Sequence, residues 1–288
     1  RRLALTARKQ LAQPPEYDGP LYSSEAFEDT ATAPTTARSS PLYDKRISLE
    51  HPVLKLAPGV ARKQVEPTLR KLMPLREDFR SIFLDSRLDD QPEHPGRKAL
   101  WQMMAVDGVP ARWAYVSTES GVHFSYPGKG GYPDSYDPRK RPWYTFGKEN
   151  ESLGWVPPYR DAQGQGLVLP CVTPVTDASG DIRGIAGLEV TLDFIQEQFM
   201  QPAGPMEATY VLNQKGDILV NSRSGQSAER KKLPKFHIPR VLSMVKHDRS
   251  GVFTDTNVPA QVYAVYRMPT LDWFYVAKAP LADLLAWQ

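Results

Sequence analysis

The sequence runs twice through the same strand pattern, and this duplication limits the folds open to the chain. The segment "WAYVSTESGVHFSYPG" is matched by "ATYVLNQKGDILVNSRSG", in which Tyr210 and Val211 stand 95 residues after Tyr115 and Val116. Solenoid repeats have periods of about 20–50 residues, so this period is too long for one. The duplication therefore predicts two similar α+β domains in tandem, each an antiparallel sheet with helices to one side.

Alternating apolar and polar residues predict the strands of each pass. In the first pass a strand–turn–strand segment precedes two long strands in "GLVLPCVTPVTDASGDIRGIAGLEVTL", which "TDASGD" joins as a turn, and then a short helix, "TLDFIQEQFM". In the second pass "AQVYAVYRMPTLDWFYVAKAPLADLL" repeats that strand, turn, strand and helix. Between its hairpins the first pass carries a long insert, about residues 126–165, and the second pass carries a less distinctive one.

The chain before the first pass divides into an irregular part and a helical part. Residues 1–58 are rich in Ser, Thr, Ala and Pro, which predicts mostly loop, while the first dozen residues are compatible with the end of a helix. Residues 60–86 carry apolar side chains at helical spacing, and Pro74 is expected to kink or divide that helix. The predicted domains are an N-terminal helix and irregular linker region at 1–95, one domain at 96–200 and a second domain at 201–288.

Composition argues against several classes of protein. The net charge is only +3, and Lys and Arg alternate with Asp and Glu, which argues against nucleic-acid binding. The one cysteine, Cys171, lies in an apolar run and is expected to be a small buried hydrophobe. Motifs for a nucleophile, a metal site or a nucleotide are missing from the sequence, so neither an enzyme nor a cofactor is predicted. No window of about 18 apolar residues predicts a membrane span within the chain.

Two features near the insert are expected to be unremarkable. The run "GKGG" at residues 128–131 lacks the helix and the Lys-Ser or Lys-Thr pair of a phosphate loop, so we interpret it as a flexible loop. His123 alternates within a strand, and the five histidines show no metal-ligand spacing, which favours a packed or surface residue over a ligand.

The insert contains an unusual segment, "YDPRKRPWYTF", at residues 136–146. Residues two apart in an extended segment share a face, so Arg141 and Trp143 are expected to point the same way. The guanidinium suits a carboxylate, and the indole supplies an apolar wall whose face favours cations. In the later "PPYRD", Tyr159 and Asp161 share a face by the same rule. A guanidinium at one end, a carboxylate at the other and aromatic rings between them would suit a small zwitterion.

The same residues are also compatible with an arrangement that binds no ligand. Arg141 and Asp161 would form an internal ion pair, with Trp143 in the core and no ligand involved, since structural ion pairs look alike in sequence. Residue types alone do not decide between these two arrangements. In both of them Arg139 and Lys140 are expected to be solvated.

Together, "YDPRKRPWY", "PPYRD", the long hairpin and the second, similar domain resemble the double Cache (dCache) sensor family, over about residues 60–287. Its members are extracytoplasmic ligand-binding regions of bacterial chemoreceptors, sensor kinases and cyclases. The resemblance implies a long N-terminal helical region and then two PAS-like domains, one membrane-distal and one membrane-proximal. It also implies flanking transmembrane helices in the full-length protein, a periplasmic location and, as in many members, a homodimer.

Part of that family binds amino acids through a spaced set of residues, which this sequence resembles. The resemblance implies that the Arg and the Trp hold the ligand carboxylate, while tyrosines and acidic groups hold the ammonium. The matching positions are Tyr136, Arg141, Trp143, Tyr144, Tyr159 and Asp161. Where the family has a later Asp, this sequence has Glu189. The longer side chain is compatible with a shifted or smaller amino acid, and equally with an amine or a different metabolite.

The sequence thus predicts an extracytoplasmic small-molecule sensor domain of a transmembrane receptor, which would be a chemoreceptor, a sensor kinase or a cyclase. The expected ligand is an amino acid or a related amine or carboxylate, bound in the distal domain. The alternative is a secreted binding module or enzyme in which the R-x-W-Y segment is structural.

Overall fold

Each pass of the duplicated pattern forms an antiparallel sheet in the computed structural model, which describes residues 1–88, 92–162, 167–223, 233–269 and 271–287. The chain divides into two units, Arg1–Val190 and Thr191–Gln288, and each contains one of the two larger sheets together with helices. The predicted α+β fold, with N-terminal helices and antiparallel sheets, is therefore confirmed. The finer division into three domains stays a prediction.

The N-terminal part of the first unit contains more regular structure than its composition predicts. Its elements are α1 (Arg2–Ala12), a 3-10 turn (Glu25–Phe27), β1 (Arg38–Ser40), β2 (Lys45–Ser48), β3 (Val53–Leu56), α2 (Arg62–Leu72), α3 (Leu75–Asp85) and α4 (Arg97–Gln102), which continues as a π-helix (Met103–Asp107). The helix α1 falls on the first dozen residues, where the end of a helix was expected, but the three strands lie in the part predicted to be loop. β1 pairs with its neighbour β2, while β2 and β3 also pair with the distant strands β6 and β5, which stabilises them despite their composition. The predicted helix at 60–86 is confirmed, as is its division at Pro74.

The first pass and its insert complete the first unit. Its elements are β4 (Trp113–Thr118), β5 (Val122–Tyr126), β6 (Gly128–Lys129), a 3-10 turn (Pro138–Lys140), α5 (Pro142–Asn150), β7 (Gly154–Trp155), β8 (Tyr159–Arg160), β9 (Leu167–Thr176) and β10 (Ile182–Thr191). The main sheet has the strand order β3-β5-β4-β10-β9-β7, with β8 also paired to β9, and a small sheet has the order β1-β2-β6. Both predicted hairpins are confirmed.

Helix α3 packs its apolar stripe on the main sheet. Phe79 and Phe83 are fully buried, and their rings lie 5.9 and 5.2 Å from the ring of Tyr126 on β5. The stripe recurs at the three- and four-residue spacing of an amphipathic helix, so one face of α3 is apolar along its whole length.

The second unit repeats the strand order of the first. Its elements are α6 (Leu192–Phe199), β11 (Ala208–Leu212), β12 (Ile218–Asn221), α7 (Pro239–Lys246), β13 (Gly251–Asp255), β14 (Gln261–Met268), β15 (Trp273–Pro280) and α8 (Leu281–Ala286). The order β12-β11-β15-β14-β13 matches β5-β4-β10-β9-β7, which confirms the predicted duplication. Among the described helices of the chain, none combines the length and the apolar character needed to cross a membrane.

Candidate ligand site in the first unit

The turn that begins the insert places Arg141 at the start of helix α5. The Asp137 carboxylate accepts a hydrogen bond from the Arg139 backbone N–H and lies 2.9 Å from its guanidinium, which closes the 3-10 turn. The Arg141 backbone N–H donates to the Pro138 carbonyl, and Pro142 follows as the first helical residue, where proline is favoured. Arg139 is thus paired with Asp137 rather than simply solvated.

A small cavity of about 20 Å³ lies between this turn, the strands β4, β5 and β10, and the end of the insert. Its lining contains six of the seven residues that the family resemblance singles out. The lining residues are Trp113, Tyr115, His123, Ser125, Tyr132, Tyr136, Arg141, Trp143, Tyr159, Asp161, Ala162 and Glu189. A cavity of this size holds about one water molecule, so a larger molecule enters only if the lining moves.

Glu189 is the buried acid of the cavity. It lies on β10 directly opposite Trp113 of β4, and its side chain is almost fully buried. The hydroxyls of Tyr115 and Tyr159 donate hydrogen bonds to its Oε1 at 3.1 and 2.7 Å. Burial raises the pKa of the Glu189 carboxyl to about 7, and the charge of Asp161 adds to the rise, although the two tyrosine hydrogen bonds oppose it. This carboxyl therefore changes its charge near neutral pH.

Arg141 faces two aromatic rings. Its guanidinium lies 5.2 Å from the ring centroid of Tyr159 and 6.0 Å from that of Tyr136, within the range of cation–π attraction. It also donates a hydrogen bond to the Arg160 carbonyl at 3.3 Å. The contacts described for Arg141 are thus two rings and a backbone carbonyl, and the choice between the two arrangements stays a prediction.

Trp143 and Tyr144 lie in different surroundings although they are neighbours in sequence. Trp143 is fully buried, with its ring 4.5 Å from that of Tyr115 and 6.1 Å from that of His123. Tyr144 is not brought to this cavity. It lines a separate hollow with Arg139 and Lys148, and its buried hydroxyl has no hydrogen-bond partner among the described residues.

His123, which the sequence suggests is a packed or surface residue, is part of the cavity wall. Its Nδ1 lies 2.6 Å from the Ser117 hydroxyl and its Nε2 lies 3.0 Å from the Tyr132 hydroxyl. Burial lowers the pKa of His123 to about 3, helped by the positive charges of Lys129 and Arg141. The imidazole is therefore neutral at physiological pH. Strand alternation offered a signal, because His123 pairs with Ser117, two residues from Tyr115 on the neighbouring strand.

Lys129 lies against two residues of the cavity lining, Trp113 and Tyr132, and was not singled out by its sequence. The first three residues of its run are buried, and Lys129 pairs with Ile47 of β2, so the interpretation of a flexible loop is wrong for them. Its Nζ lies 3.0 Å from the ring centroid of Trp113 and 5.6 Å from that of Tyr132. Burial holds the pKa of Lys129 well below its usual value, and Asp161 and Glu189 oppose that shift. The sequence around Lys129 does not reveal this burial, because it depends on contacts with distant residues: Gly128 packs against the His51 carbonyl and Phe27.

No protein-family model matches the chain. The chain is similar to methyl-accepting chemotaxis protein McpA of Pseudomonas putida, with 31% identity over 96 residues, which are 33% of this chain and 15% of that protein. McpG of the same bacterium is 30% identical over 89 residues, which are 31% of this chain and 14% of that protein. McpB of Bacillus subtilis is 28% identical over 117 residues, which are 40% of this chain and 17% of that protein. The chain thus spans less than a fifth of the length of the curated relatives it matches.

Solved structures with a related arrangement include the ligand-binding domain of the Pseudomonas aeruginosa amino acid chemoreceptor PctB in complex with L-Gln. That comparison has a TM-score of 0.48 and 18% identity, and covers 72% of this chain and 84% of that domain. The ligand-binding domain of the Pseudomonas fluorescens chemoreceptor CtaA in complex with L-isoleucine has a TM-score of 0.47 and 17% identity, and covers 61% of this chain and 71% of that domain.

The curated relatives are chemotaxis receptors, the class of protein in which the resemblance expects double Cache sensors. The resemblance is therefore confirmed over the matched part of the chain.

Proposed function

We propose that this chain, which resembles double Cache sensors, is the extracytoplasmic sensor domain of a transmembrane chemoreceptor. Its ligand is a small carboxylate-bearing metabolite, an amino acid or a related compound, bound in the cavity of the first unit. By the same proposal the chain lies in the periplasm, is flanked by transmembrane helices in the full-length receptor and forms a homodimer. The relatives that support this are chemotaxis receptors, and the solved PctB and CtaA domains hold amino acids.

One observation carries the proposal. Six separate elements or segments bring a guanidinium, a buried carboxyl and a set of aromatic rings to one cavity. Arg141 comes from the start of α5, Glu189 from β10 and Tyr159 from β8. Small-molecule sites use a few placed polar groups to fix the orientation of the ligand, and this cavity places an arginine and a glutamate among aromatic side chains. A structural core has no need to collect buried polar groups of both signs.

In this proposal each end of the cavity has a role. Arg141 is half-buried and keeps donors that its described hydrogen bond, to the Arg160 carbonyl, does not use, so it is the group to receive a ligand carboxylate. Glu189, with its two tyrosine partners, is the group to receive a hydrogen-bond donor of the ligand. Because the cavity holds about one water molecule, binding would have to move the lining outward. A ligand that prefers the widened form shifts the domain toward that form, which is how binding would produce a signal.

Calorimetric titration of the isolated chain with amino acids, hydroxy acids and dicarboxylic acids tests this function. Arg141→Ala should weaken binding by roughly 10- to 100-fold, since hydrogen bonds to charged groups contribute about 1.5–3 kcal/mol. Lys140→Ala is the matched control, because Lys140 is exposed in the same turn and should leave the affinity unchanged.

The outcome that rejects the site is a ligand whose affinity is equal in the wild-type protein and in Arg141→Ala. If no small molecule binds and Arg141→Ala only lowers the melting temperature, the R-x-W-Y segment is structural and the sensor function is wrong.

A further inference from the structure

We propose that Trp113 binds the ligand by donating a hydrogen bond from its indole N–H to a ligand group that also contacts Glu189. The site thereby selects carboxylic acids that carry a hydroxyl or a carboxamide as a further polar group. This inference rests on the proposed function and narrows it, because it names a second part of the ligand besides the carboxylate that Arg141 receives.

The Nε1–H of Trp113 is a buried donor without a partner. The side chain is 3% exposed. Several buried side-chain nitrogens and oxygens lack a hydrogen-bond partner in the described part of the chain, and among them this nitrogen is the one that belongs to the cavity lining. Buried polar groups are nearly always paired, and an unpaired donor destabilises the protein. A ligand oxygen beside Trp113 gives the donor its partner.

The described neighbours of the indole pack against its ring. The Lys129 Nζ lies 3.0 Å from the ring centroid, and an atom this close to the centroid lies over the face of the ring. The N–H lies at the edge of the indole, in the plane of the ring, so Lys129 does not accept from it. The Tyr43 ring has its centroid 4.7 Å away, and its hydroxyl donates to the Arg112 carbonyl. Neither neighbour therefore takes the N–H.

Trp113 and Glu189 form a cross-strand pair on the cavity side of the sheet. They stand directly opposite each other on β4 and β10, and both line the cavity. Directly opposite side chains of an antiparallel pair have Cβ atoms about 4.5–5.5 Å apart. The two side chains are thus close enough for one ligand group to contact both.

Other polar groups of this wall already have hydrogen-bond partners. The hydroxyls of Tyr115 and Tyr159 donate to Glu189, and both ring nitrogens of His123 lie within hydrogen-bond distance of a hydroxyl. A ligand that bonds to the His123 ring has to replace an existing hydrogen bond, whereas Trp113 gains one.

The chemistry of the pair decides which ligand group fits between Trp113 and Glu189. The indole N–H only donates a hydrogen bond, and an ionised carboxyl only accepts one. A hydroxyl or a carboxamide does both, so it satisfies the two side chains together. An ammonium only donates and a carboxylate only accepts, so each of them leaves one of the two side chains unmatched.

Pairs of ligands with the same shape test the inference in the wild-type chain. L-Threonine and L-valine, L-lactate and isobutyrate, and L-malate and 2-methylsuccinate differ by a hydroxyl in place of a methyl group. Calorimetric titration at pH 8, above the pKa of Glu189 of about 7, should show at least about tenfold tighter binding of the hydroxyl member in the pair that fits the cavity. The methyl member binds more weakly because it leaves both side chains unpaired.

Two failures of this titration have different meanings. If the chain binds carboxylates through Arg141 but shows no preference for the hydroxyl member of any pair, the inference is wrong and the proposed function stands. If no carboxylate binds at all, the proposed function is wrong and the inference falls with it.

Trp113→Phe tests the donor itself. Phenylalanine keeps an aromatic ring and removes the N–H, so the preference for the hydroxyl member should fall below about threefold. Trp101→Phe is the matched control, because Trp101 is half-buried in α4 and does not belong to the cavity lining, so the preference should stay as in wild type. A folded Trp113→Phe that keeps the wild-type preference would overturn the inference.

The indole signal of Trp113 gives a second measurement that needs no variant. The chain has six tryptophans, so the indole N–H signals of the 15N-labelled wild-type protein are few enough to assign one by one. Binding of the hydroxyl ligand should move the Trp113 signal downfield, the direction of a stronger hydrogen bond, by more than its methyl analogue does. Equal shifts with the two ligands contradict the inference, even if Trp113→Phe does not fold.

Discussion

The two larger sheets have the same strand order, yet the segments that connect their hairpins contain different chemistry. In both units a proline begins the helix of that segment, Pro142 in the first and Pro239 in the second. The residue before it is Arg141 in one and Ile238 in the other. In the first unit the segment covers a cavity with buried charged groups. In the described part of the second unit, the buried polar side chains are Thr191 and Thr209, neither of which is charged.

The registers of the two sheets make this comparison residue by residue. Glu189 stands opposite Trp113, and at the same place in the second sheet Lys278 stands opposite Ala208. Lys278 forms an ion pair with Glu207 at 2.9 Å, with both side chains partly exposed. At this place the first sheet has an indole and an acid beside a cavity, and the second has a methyl group and a base in a surface ion pair. The strand order and the register are the same, so the side chains distinguish the two places.

The two sheets also differ at Gly187, whose counterpart in the second sheet is Val276. Gly187 stands opposite Tyr115, and a Cβ at this glycine would lie 2.3 Å from the Tyr115 ring. The missing side chain therefore lets Tyr115 lie across the strand and reach Glu189 with its hydroxyl. In the second sheet Val276 stands opposite Tyr210, whose ring packs on Phe236 instead.

Gly187→Val would give the first sheet the residue of the second and should have the largest effect. The valine displaces Tyr115, which overpacks the core at a cost of about 1–3 kcal/mol. It also removes one hydrogen bond from a buried carboxyl, which costs about 1–3 kcal/mol more. Urea unfolding at pH 7 should show a total loss of roughly 3 kcal/mol or more, and calorimetry should show no ligand binding.

Gly96→Ala is the matched control for that variant. Gly96 is exposed, and a Cβ there meets nothing within 4 Å. Its unfolding free energy should change by less than about 0.5 kcal/mol. Full ligand affinity in Gly187→Val would show that the contact between Tyr115 and Glu189 has no part in the site.

Glu189→Gln should have an effect of opposite sign that depends on pH. The folded pKa of Glu189, about 7, lies above its unfolded value, so the folded state loses stability as pH rises through 7. The glutamine stays neutral and still accepts from both tyrosines. The variant should therefore be more stable than wild type at pH 8 by up to about 3 kcal/mol, since one pKa unit corresponds to about 1.36 kcal/mol. Urea unfolding from pH 4 to pH 8 measures the difference, which should shrink as pH falls below 7 and vanish only below the unfolded pKa of about 4.5.

The depressed pKa of His123 acts in the other direction, because stability falls as pH decreases below the unfolded value of about 6.5. Both proteins contain His123, so this contribution cancels in the difference between wild type and Glu189→Gln. A constant difference between the two proteins from pH 5 to pH 8 would contradict the raised pKa of Glu189.

Glu207→Gln in the second unit should have the smallest effect, with the sign reversed. The hydrogen bond from Lys278 lowers the pKa of Glu207, so its contribution to stability is present above pH 4.5 and is lost as pH falls through the folded value. The pair is partly exposed, so the variant should lose at most about 1 kcal/mol at pH 7. Unfolding at pH 3 should show no difference. A gain in stability at pH 7 would mean that the two acids have similar surroundings after all.

Periodicity predicted the parts of the fold whose pattern is local. The hairpins, the helix divided at Pro74 and the duplication depend on alternation, proline chemistry and spacing within short segments. The strands β1 and β2 were missed because each contains only three or four residues, too few for a clear alternation, and their local pair is completed by the distant strand β6. Short segments of this kind are determined by the tertiary structure rather than by composition.

The candidate site shows the same limit. Arg141, Trp143 and Glu189 were found because the resemblance compares residue types at fixed spacing, and the structure brings them together. Tyr144 stays outside because successive residues of a helix are about 100° apart, so Tyr144 cannot share the cavity-facing side of Trp143. Lys129 was missed because its neighbours are glycines, which suggest a loop, whereas its burial depends on residues far away in sequence.

Arg141 also gives the site a mechanical connection. Its backbone carbonyl accepts the first hydrogen bonds of α5, from Tyr144 and Thr145, while its side chain lies in the cavity wall. The helix cannot approach the sheet, since a Cβ at Gly147 would already lie 2.9 Å from Ile185. A displacement of the Arg141 backbone therefore acts on α5 as a push along or away from the sheet. Arg141 thus links the cavity, which its side chain lines, to the helix α5, which its backbone begins.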